Sequence, residues 1–179
     1  WVQHFDVPRW GGAGLRPDRF STFARHLRDR GYATAIGGKW QINHLGKQPE
    51  ILKQHGFDEH CVWPGVEAYQ PETKERFWGG LIATNGKRAK VPYGPDTINR
   101  FLINFIKRNK DRPFLVYYPM LLTHGPHTVT PLNKINPPEG KPALYAGNVT
   151  YMDQLVGKLV STVDNLGLTK RTVIIFTGD

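Results

Sequence analysis

The order of apolar patterns along the chain, helix then strand three times over, limits the possible folds more than any other feature. Apolar residues at helical spacing begin after Pro17, at Gly94 and near Tyr145, and each such stretch is followed by a short apolar run. These runs are residues 32–36, 114–118 and 172–177. Repeated helix–strand units place parallel strands side by side with crossover helices between them. The sequence therefore predicts an α/β fold with a mostly parallel central sheet flanked by helices.

Between these helix–strand units the sequence gives shorter signals of secondary structure. Residues 49–54 predict a short helix that stops at Gly56, and Asn85-Gly86 after an apolar stretch predicts a β-hairpin. Residues 57–69 are aromatic without a clear period, so no regular element is predicted there. Residues 120–142 form a long loop rich in Pro and Gly, and a loop of this length favours a binding role.

The first and last helices have apolar stripes that we expect to be buried. The first helix, predicted from Pro17 to Gly31, carries Phe20, Phe23, Ala24 and Leu27 on this stripe. The last is predicted from about Tyr145 to Leu166, with Gly167 at its end. Its expected buried residues are Val149, Met152, Val156, Leu159, Val160 and Val163.

Three chemically useful side chains follow the three predicted strands. Lys39 comes directly after Gly37-Gly38, His124 opens the long loop, and Asp179 follows the last run. A single lysine after two glycines is most simply a solvated loop residue, and a single aspartate after a strand is most simply a turn or capping residue. Since the carboxyl ends of parallel strands share one edge, where α/β sheets bind ligands, we expect the three to form one site. Asp179 would then be free to ligate a hard cation through its carboxylate.

The charge balance and the cysteine count narrow the class of partner. The chain has 24 Lys and Arg against 15 Asp and Glu, a formal net charge of +9, which favours anionic partners. Charge alone leaves nucleic acid, sulfated glycans and phosphate esters open. Cys61 is the single cysteine, so an internal disulfide framework and a multi-cysteine zinc site are excluded. No apolar run reaches the length of a membrane span.

The two ends suggest an interior piece of a longer protein. The chain begins at Trp1 without a methionine, and its last apolar run is followed by only two residues. A strand buried on both faces needs neighbours on both sides. We therefore expect a sheet that is incomplete at both ends.

Four blocks of residues lie in order along the chain and follow one known pattern. Residues 31–40, Gly-Tyr-Ala-Thr-Ala-Ile-Gly-Gly-Lys-Trp, resemble the second signature of the sulfatase family, which belongs to the alkaline phosphatase-like superfamily. The strand 114–118 followed by His124-Gly125-Pro126-His127 is similar to its strand and His-x-Pro loop. Residues 151–159 and 173–179 resemble the helix and strand that deliver its third metal carboxylate. The resemblance runs collinearly from about residue 17 to 179, so residues 1–179 are expected to be the central part of a single catalytic domain.

The resemblance implies hydrolysis of sulfate esters by a formylglycine beside a calcium ion. In this relationship Lys39 would contact the sulfate and the nucleophile, His124 would bind sulfate and help to protonate the leaving oxygen, and Asp179 would ligate calcium. The formylglycine arises from Cys or Ser in Cys/Ser-x-Pro-x-Arg, a pattern that this chain lacks, so the nucleophile is expected upstream of residue 1. The family's two amino-terminal metal aspartates are expected there too.

One position departs from the family pattern. Gln41 stands where the family has a histidine two residues after the lysine, and glutamine cannot act as a base. His44 is the neighbouring candidate to take over that role, and His127 is a further candidate in the His-x-Pro loop.

The resemblance also suggests partners and leaves two other functions open. The implied substrate is a sulfated small molecule or glycan, with no nucleic acid, in a secreted, periplasmic or lysosomal protein. A phosphatase, phosphodiesterase or phosphonate hydrolase would share the superfamily's sheet and metal edge. A basic domain that binds glycan or nucleic acid without catalysis would show affinity that falls steeply with salt.

Overall fold

A five-stranded sheet with helices on both faces forms the centre of the computed structural model, which describes residues 14–65 and 75–178. The helices are α1 (Phe23–Arg28), α2 (Ile51–Gln54), α3 (Gly94–Arg108) and α4 (Lys141–Asn165), and a short 3-10 helix spans Thr169–Arg171. The strands are β1 (Ala33–Lys39), β2 (Glu59–Trp63), β3 (Leu81–Thr84), β4 (Lys87–Lys90) and β5 (Phe114–Tyr117). Their order across the sheet is β4-β3-β2-β1-β5.

Strand direction agrees with the sequence-based prediction. β1 pairs in parallel with β2 on one side and with β5 on the other. β3 is antiparallel to both β2 and β4, so in the described sheet four strands run in one direction and β3 runs against them. The expected mostly parallel α/β sheet is confirmed, and Lys39 lies at the carboxyl edge of its parallel part, β2-β1-β5.

β1 is buried on both faces because a different pair of helices covers each side. Ala33 and Ala35 point into a core shared with α3 and α4, where Leu102 and Leu155 are fully buried. Ile36, on the other face, packs with residues of α1 and α2. Burial on both faces explains why the run has no alternation of buried apolar and exposed polar residues.

Gly37 and Gly38 let two neighbouring segments lie unusually close to β1. A Cβ atom on Gly37 would come within 2.8 Å of the Leu102 side chain of α3. At Gly38, where φ is +135°, a Cβ atom would lie 1.9 Å from the carbonyl oxygen of Pro119, just after β5. The strand therefore continues through both glycines to Lys39, three residues beyond its predicted end. The space beside Gly37 and Gly38 is filled by α3 and by the segment that follows β5.

The hairpin and the short helix form where the sequence predicts them. Asn85 and Gly86 connect β3 to β4 with φ values of 46° and 82°, as the tight turn of a hairpin requires. α2 covers most of the predicted segment 49–54. The strand β2 was missed by the sequence analysis, because its pairing partners β1 and β3 are distant in sequence and its own residues have no clean alternation.

The first helix is shorter than predicted. It begins at Phe23, where the hydroxyl of Thr22 accepts a hydrogen bond from the backbone amide of Arg25 and caps the helix. Of the four expected buried residues only Ala24 is fully buried, while Phe20 and Phe23 are 46% and 52% exposed. The stripe prediction was therefore wrong for these two aromatic residues.

The buried side of α4 also differs from the prediction. Val149 and Val160 are exposed, and of the six expected residues only Val163 is fully buried. Buried polar residues take part of the stripe: the Asn148 side chain donates to the carbonyl of Thr128 at 2.6 Å, and the Thr162 hydroxyl donates to that of Lys158 at 2.7 Å. Because these groups have hydrogen-bond partners, their burial carries little penalty, and a count of apolar residues does not detect them. The buried residues of α4 are Asn148, Tyr151, Leu155, Thr162 and Val163.

The predicted third parallel strand, 172–177, is not part of the sheet. These residues form no strand, and Val173 and Phe176 are 85% and 68% exposed. A β-branched run favours a strand only where it packs on a pleated, half-buried surface, and in the described part of the chain this run meets none. Within residues 14–65 and 75–178, no helix has the length and apolar character needed to cross a bilayer.

Candidate active site

Lys39 is held at the carboxyl end of β1 by both neighbouring segments. Its backbone amide donates a 2.7 Å hydrogen bond to the carbonyl of Pro119, and it lies in register with Trp63 at the end of β2. The residue is partly buried. A lysine on a paired central strand has a fixed backbone, so the region that its ammonium group can reach is limited.

His124 lies in the loop that follows β5, beside β1 at the same edge. Its side chain is exposed, and its Nδ1 atom is 3.1 Å from a guanidinium nitrogen of Arg76 and 2.7 Å from the carbonyl oxygen of Gly125. Lys39, the last residue of β1, and His124, in the loop after β5, thus belong to the carboxyl ends of adjacent parallel strands, while their forming one site stays a prediction. Their catalytic roles remain predictions. Asp179, the predicted metal ligand, lies outside the described residues.

Arg76 is a residue of this edge that the sequence analysis missed. Its guanidinium carbon lies 5.0 Å from the centre of the Trp63 ring and 5.2 Å from that of Phe77. Burial lowers the pKa of Arg76, but the ordinary value for arginine is so high that the group keeps its charge. Trp63 is the last residue of β2 and lies in register with Lys39. Because Arg76 contacts both Trp63 and His124, it connects the end of β2 to the loop that contains His124. No local sequence pattern around Arg76 indicates this connection, because its partner His124 lies 48 positions away.

The loop after β1 contains the two candidates for the missing histidine. Gln41 packs over Gly65, where an added Cβ atom would come within 2.6 Å of the glutamine side chain. His44 is partly buried in a turn, and its Nδ1 atom accepts a 3.3 Å hydrogen bond from the backbone amide of Lys47. One ring nitrogen of His44 therefore has a structural partner, and its catalytic role remains a prediction.

His127 is fixed in the same loop as His124. Its ring meets that of Tyr145 edge to face at 5.0 Å, and its buried Nδ1 atom has no hydrogen-bond partner among the described residues. Two hydrogen bonds hold the following residues: the Trp78 indole donates to the carbonyl of Val129 at 2.8 Å, and Asn148 donates to that of Thr128. His127 thus packs against α4 in the loop that also contains His124, and its catalytic role remains a prediction.

The single cysteine has no part in this edge. Cys61 is fully buried in β2, where the hydroxyl of Thr84 lies 3.3 Å from its sulfur. Burial raises the pKa of the Cys61 thiol to about 11, because a thiolate would be poorly solvated there. The group is therefore a structural thiol and not a nucleophile.

This burial predicts that Cys61 resists alkylation in the native protein. At pH 8 only about one thiol in a thousand would be ionised, and the sulfur is shielded from solvent. After brief iodoacetamide treatment, peptide mass spectrometry should find the Cys61 peptide unlabelled in native protein and labelled in urea. Equal labelling under both conditions would contradict the buried environment.

The described residues do not by themselves make a metal site. Among residues 14–65 and 75–178, no group of three or more His, Cys, Asp or Glu side chains is arranged to hold a metal ion. The residues that the structure describes therefore do not by themselves supply the ligands of the calcium ion that the resemblance implies, and we derive no chemical step through it.

The arrangement is one that can receive an anion. Two cationic side chains, Lys39 and Arg76, and a histidine lie at the carboxyl edge of the parallel strands, where open α/β sheets bind ligands. Two fixed positive charges and a histidine that can carry a proton are suited to binding an anionic ester. Fold and site together define an α/β protein with basic side chains and a histidine at the carboxyl edge of its parallel strands.

Comparison with known proteins identifies the family. A family model described as Sulfatase matches residues 3–179, so the chain belongs to the sulfatase family. It is 28% identical to N-acetylgalactosamine-6-sulfatase from Canis lupus familiaris, a match covering 91% of this chain and 33% of that protein. It is 34% identical to human arylsulfatase D over 94% of this chain and 40% of that protein. The crystal structure of Ps i-CgsB matches at a TM-score of 0.72 and 25% identity, covering 93% of this chain and 41% of that one.

These matches confirm the family and fold predicted from the motifs. The chain spans about a third to two fifths of the length of these relatives.

Proposed function

We propose that the chain is the central part of a longer sulfatase catalytic domain and that the whole protein hydrolyses sulfate esters. The observation that carries the proposal is the position of Lys39 and His124 at the carboxyl ends of adjacent parallel strands, in a chain whose sulfatase family match spans residues 3–179. The relatives named above are sulfatases by name, which favours a sulfate over a phosphate ester.

Lys39 would act as the fixed cation on the sulfuryl group. Negative charge shifts within the sulfuryl group and onto the leaving oxygen as the ester bond breaks, so a preorganised cation stabilises the transition state more than the bound ester. The strand position supports this role, because the backbone of Lys39 is held by pairing with β2 and by its hydrogen bond to Pro119. Little reorganisation would then be needed during the reaction.

His124 would bind the sulfate and supply the proton to the leaving oxygen. An exposed ring at the start of the loop can reach a substrate placed at the sheet edge. A leaving alkoxide or phenoxide is a poor leaving group until it is protonated, and a positioned histidine is the most common proton donor in enzymes. His127, His44 and Gln41 remain further candidates for contact with substrate.

The formylglycine and calcium belong to the proposal as family features. The nucleophile would come from a segment upstream of Trp1, since this chain has no Cys or Ser in the x-Pro-x-Arg context. Asp179 would contribute one oxygen ligand to calcium, which takes six to eight, so most ligands would have to come from elsewhere.

The proposed substrate is a sulfated small molecule or glycan in a secreted, periplasmic or lysosomal setting. The relatives named above include an N-acetylgalactosamine-6-sulfatase and an arylsulfatase, which supports both substrate classes. The formal net charge of +9 also favours polyanionic glycans.

The direct test compares two esters of the same phenol. The full-length protein, expressed with the formylglycine-generating enzyme, should hydrolyse 4-nitrophenyl sulfate and leave 4-nitrophenyl phosphate nearly untouched. Residues 1–179 alone should be inactive on both, because the nucleophile motif is absent from them. Turnover of the phosphate alone would replace the proposal with a phosphatase of the same superfamily. Salt-sensitive binding of heparin without turnover would replace it with a binding domain.

A further inference from the structure

The outer strand of the sheet, β4, concentrates positive charge. It consists of Lys87, Arg88, Ala89 and Lys90, and the chain has no aspartate or glutamate from residue 76 to residue 95. Lys87 and Lys90 are exposed, and within the described ranges neither of them forms an ion pair. Charged side chains on an edge strand prevent pairing with another molecule, and that function would account for the two lysines. It does not account for Arg88, which is partly buried.

The side chain of Arg88 extends to the loop that follows β1. A guanidinium nitrogen of Arg88 lies 3.5 Å from the position that a Cβ atom on Gly46 would take, and the ring of His44 lies 3.0 Å from the same position. Alternate residues of a strand project on the same side of a sheet, so Arg88 and Lys90 share one side. β4 therefore contributes two cations beside the loop that begins after Lys39.

These two cations belong to the same edge of the sheet as Lys39. Since β3 is antiparallel to both of its neighbours, β4 runs in the direction of β1, and Lys90, its last residue, lies at the carboxyl edge. The register across the four strands aligns Arg88 with Gly38. Three strand spacings place the backbones of these two residues roughly 14 Å apart. One sulfate group cannot bridge that separation, whereas two anionic groups of one oligosaccharide can.

The backbone of Lys90 is fixed although its side chain is exposed. Lys90 pairs with Leu81 of β3, and the pairing of the two segments extends beyond it to a bridge between Trp78 and Tyr93. Arg76 precedes that bridge by two residues. The ribbon that holds Lys90 thus also holds the arginine near His124, and a ligand that lies along this edge would meet positive charge on both sides of the ribbon.

We propose that Arg88 and Lys90 form a subsite for a second anionic group of the substrate, a sulfate or carboxylate on a neighbouring sugar of a polyanionic glycan. The inference rests on the proposed function, and of the two proposed substrate classes it selects the glycan. A guanidinium can bind such a group through two parallel N–H donors, and an ammonium adds a mobile point charge. With the scissile ester at Lys39, the glycan chain would lie along the carboxyl edge from β1 to β4.

The test is competitive inhibition of 4-nitrophenyl sulfate hydrolysis by the full-length enzyme. The inhibitors are inorganic sulfate, which can occupy one anion position, and tetrasaccharides of heparin and of chondroitin sulfate, which can reach both. At least one tetrasaccharide should bind the wild type more tightly than sulfate does. Lys90→Gln should raise the inhibition constant of that tetrasaccharide about threefold or more relative to that of sulfate. Arg88→Met should raise it about tenfold, because charge-assisted hydrogen bonds are lost as well.

Lys87→Gln is the matched control. Lys87 is exposed on the same strand, and its replacement changes the net charge by the same amount, but it begins β4 at the opposite edge, about 10 Å from Lys90. At physiological ionic strength the charge is screened over that distance, so the inhibition constants should stay close to those of the wild type.

Three results would overturn the proposal. They are equal changes in Lys87→Gln and Lys90→Gln, a loss for inorganic sulfate as large as that for the tetrasaccharide, and no inhibition by either tetrasaccharide. If Arg88→Met does not fold, Lys90→Gln decides by itself, because the side chain of Lys90 is exposed. A wild type that hydrolyses no sulfate ester would instead defeat the proposed function.

Discussion

Replacing Lys39 by alanine in the full-length enzyme is expected to lower kcat about 100-fold or more while changing KM much less. The ammonium group would be held against a sulfuryl group whose oxygens change charge as the ester bond breaks, so the loss falls mainly on the transition state. Removal of one preorganised donor of this kind costs about 10²- to 10³-fold in turnover in other enzymes. Steady-state kinetics on 4-nitrophenyl sulfate measures both parameters.

Lys47→Ala serves as the control for this experiment. Lys47 lies eight positions after Lys39 and is exposed in the turn that follows β1. Its backbone amide donates a hydrogen bond within that turn, and the structure describes none from its side chain. Its replacement should leave kcat and KM unchanged. Similar small losses in both variants would mean that Lys39 is a solvated lysine, and the proposed site would lose one of its two cations.

Replacing Gly38 by alanine is expected to destabilise the protein by about 3–5 kcal/mol, near the upper limit for single substitutions. The added Cβ atom would lie 1.9 Å from the carbonyl oxygen of Pro119, and backbone cannot yield as a flexible side chain can. The φ of +135° also lies in a region that residues with a Cβ atom rarely adopt. The strain would act on the backbone that positions Lys39, so activity should fall together with the free energy of unfolding, measured by urea denaturation of the full-length protein.

Gly157→Ala provides the opposite case within the same chain. Gly157 lies on the exposed side of α4 with no atom within 4 Å of an added Cβ, so alanine should raise stability by about 0.5–1 kcal/mol through its higher helix propensity. A Gly38→Ala variant that unfolds at the same urea concentration as Gly157→Ala would contradict the close approach of β1 to Pro119.

The parts of the fold that depend on local physics could be predicted from the sequence. α3 has a strong apolar period, a proline in its first turn and an aspartate near its positive end, and it forms where expected. The Asn85-Gly86 turn needs positive φ values, which these two residue types tolerate best. Lys39 and His124 could be placed at one edge because parallel strands must align their carboxyl ends.

The parts that depend on distant partners could not be predicted. β2 is defined by its pairing with β1 and β3, and its sequence alone gives no signal. In α4, Asn148 is buried because it finds a carbonyl on a loop 20 residues earlier, a partner that no periodicity reveals. Arg76 is the corresponding case in the site, since its importance comes from Trp63 and His124, both far away in sequence.

The run 172–177 shows the reverse error. Its β-branched and aromatic residues fit a strand by composition, but strand formation also requires a partner edge and a surface to cover. Among the described residues the run is exposed and has no partner strand or surface to pack on, so its high strand propensity does not produce a strand.

The hydrogen bonds that hold the loop containing His124 and His127 affect how fast and how tightly a substrate can bind. Trp78 and Asn148 fix the carbonyls of Val129 and Thr128, so this part of the loop is ordered when the protein folds and not when the ligand arrives. A loop that must become ordered on binding reduces affinity by its lost conformational entropy and slows association through the extra rearrangement. With the loop already fixed, encounter with a sulfate ester should be governed by diffusion and by the positive field of the edge, and the association rate should fall with ionic strength instead of depending on loop closure.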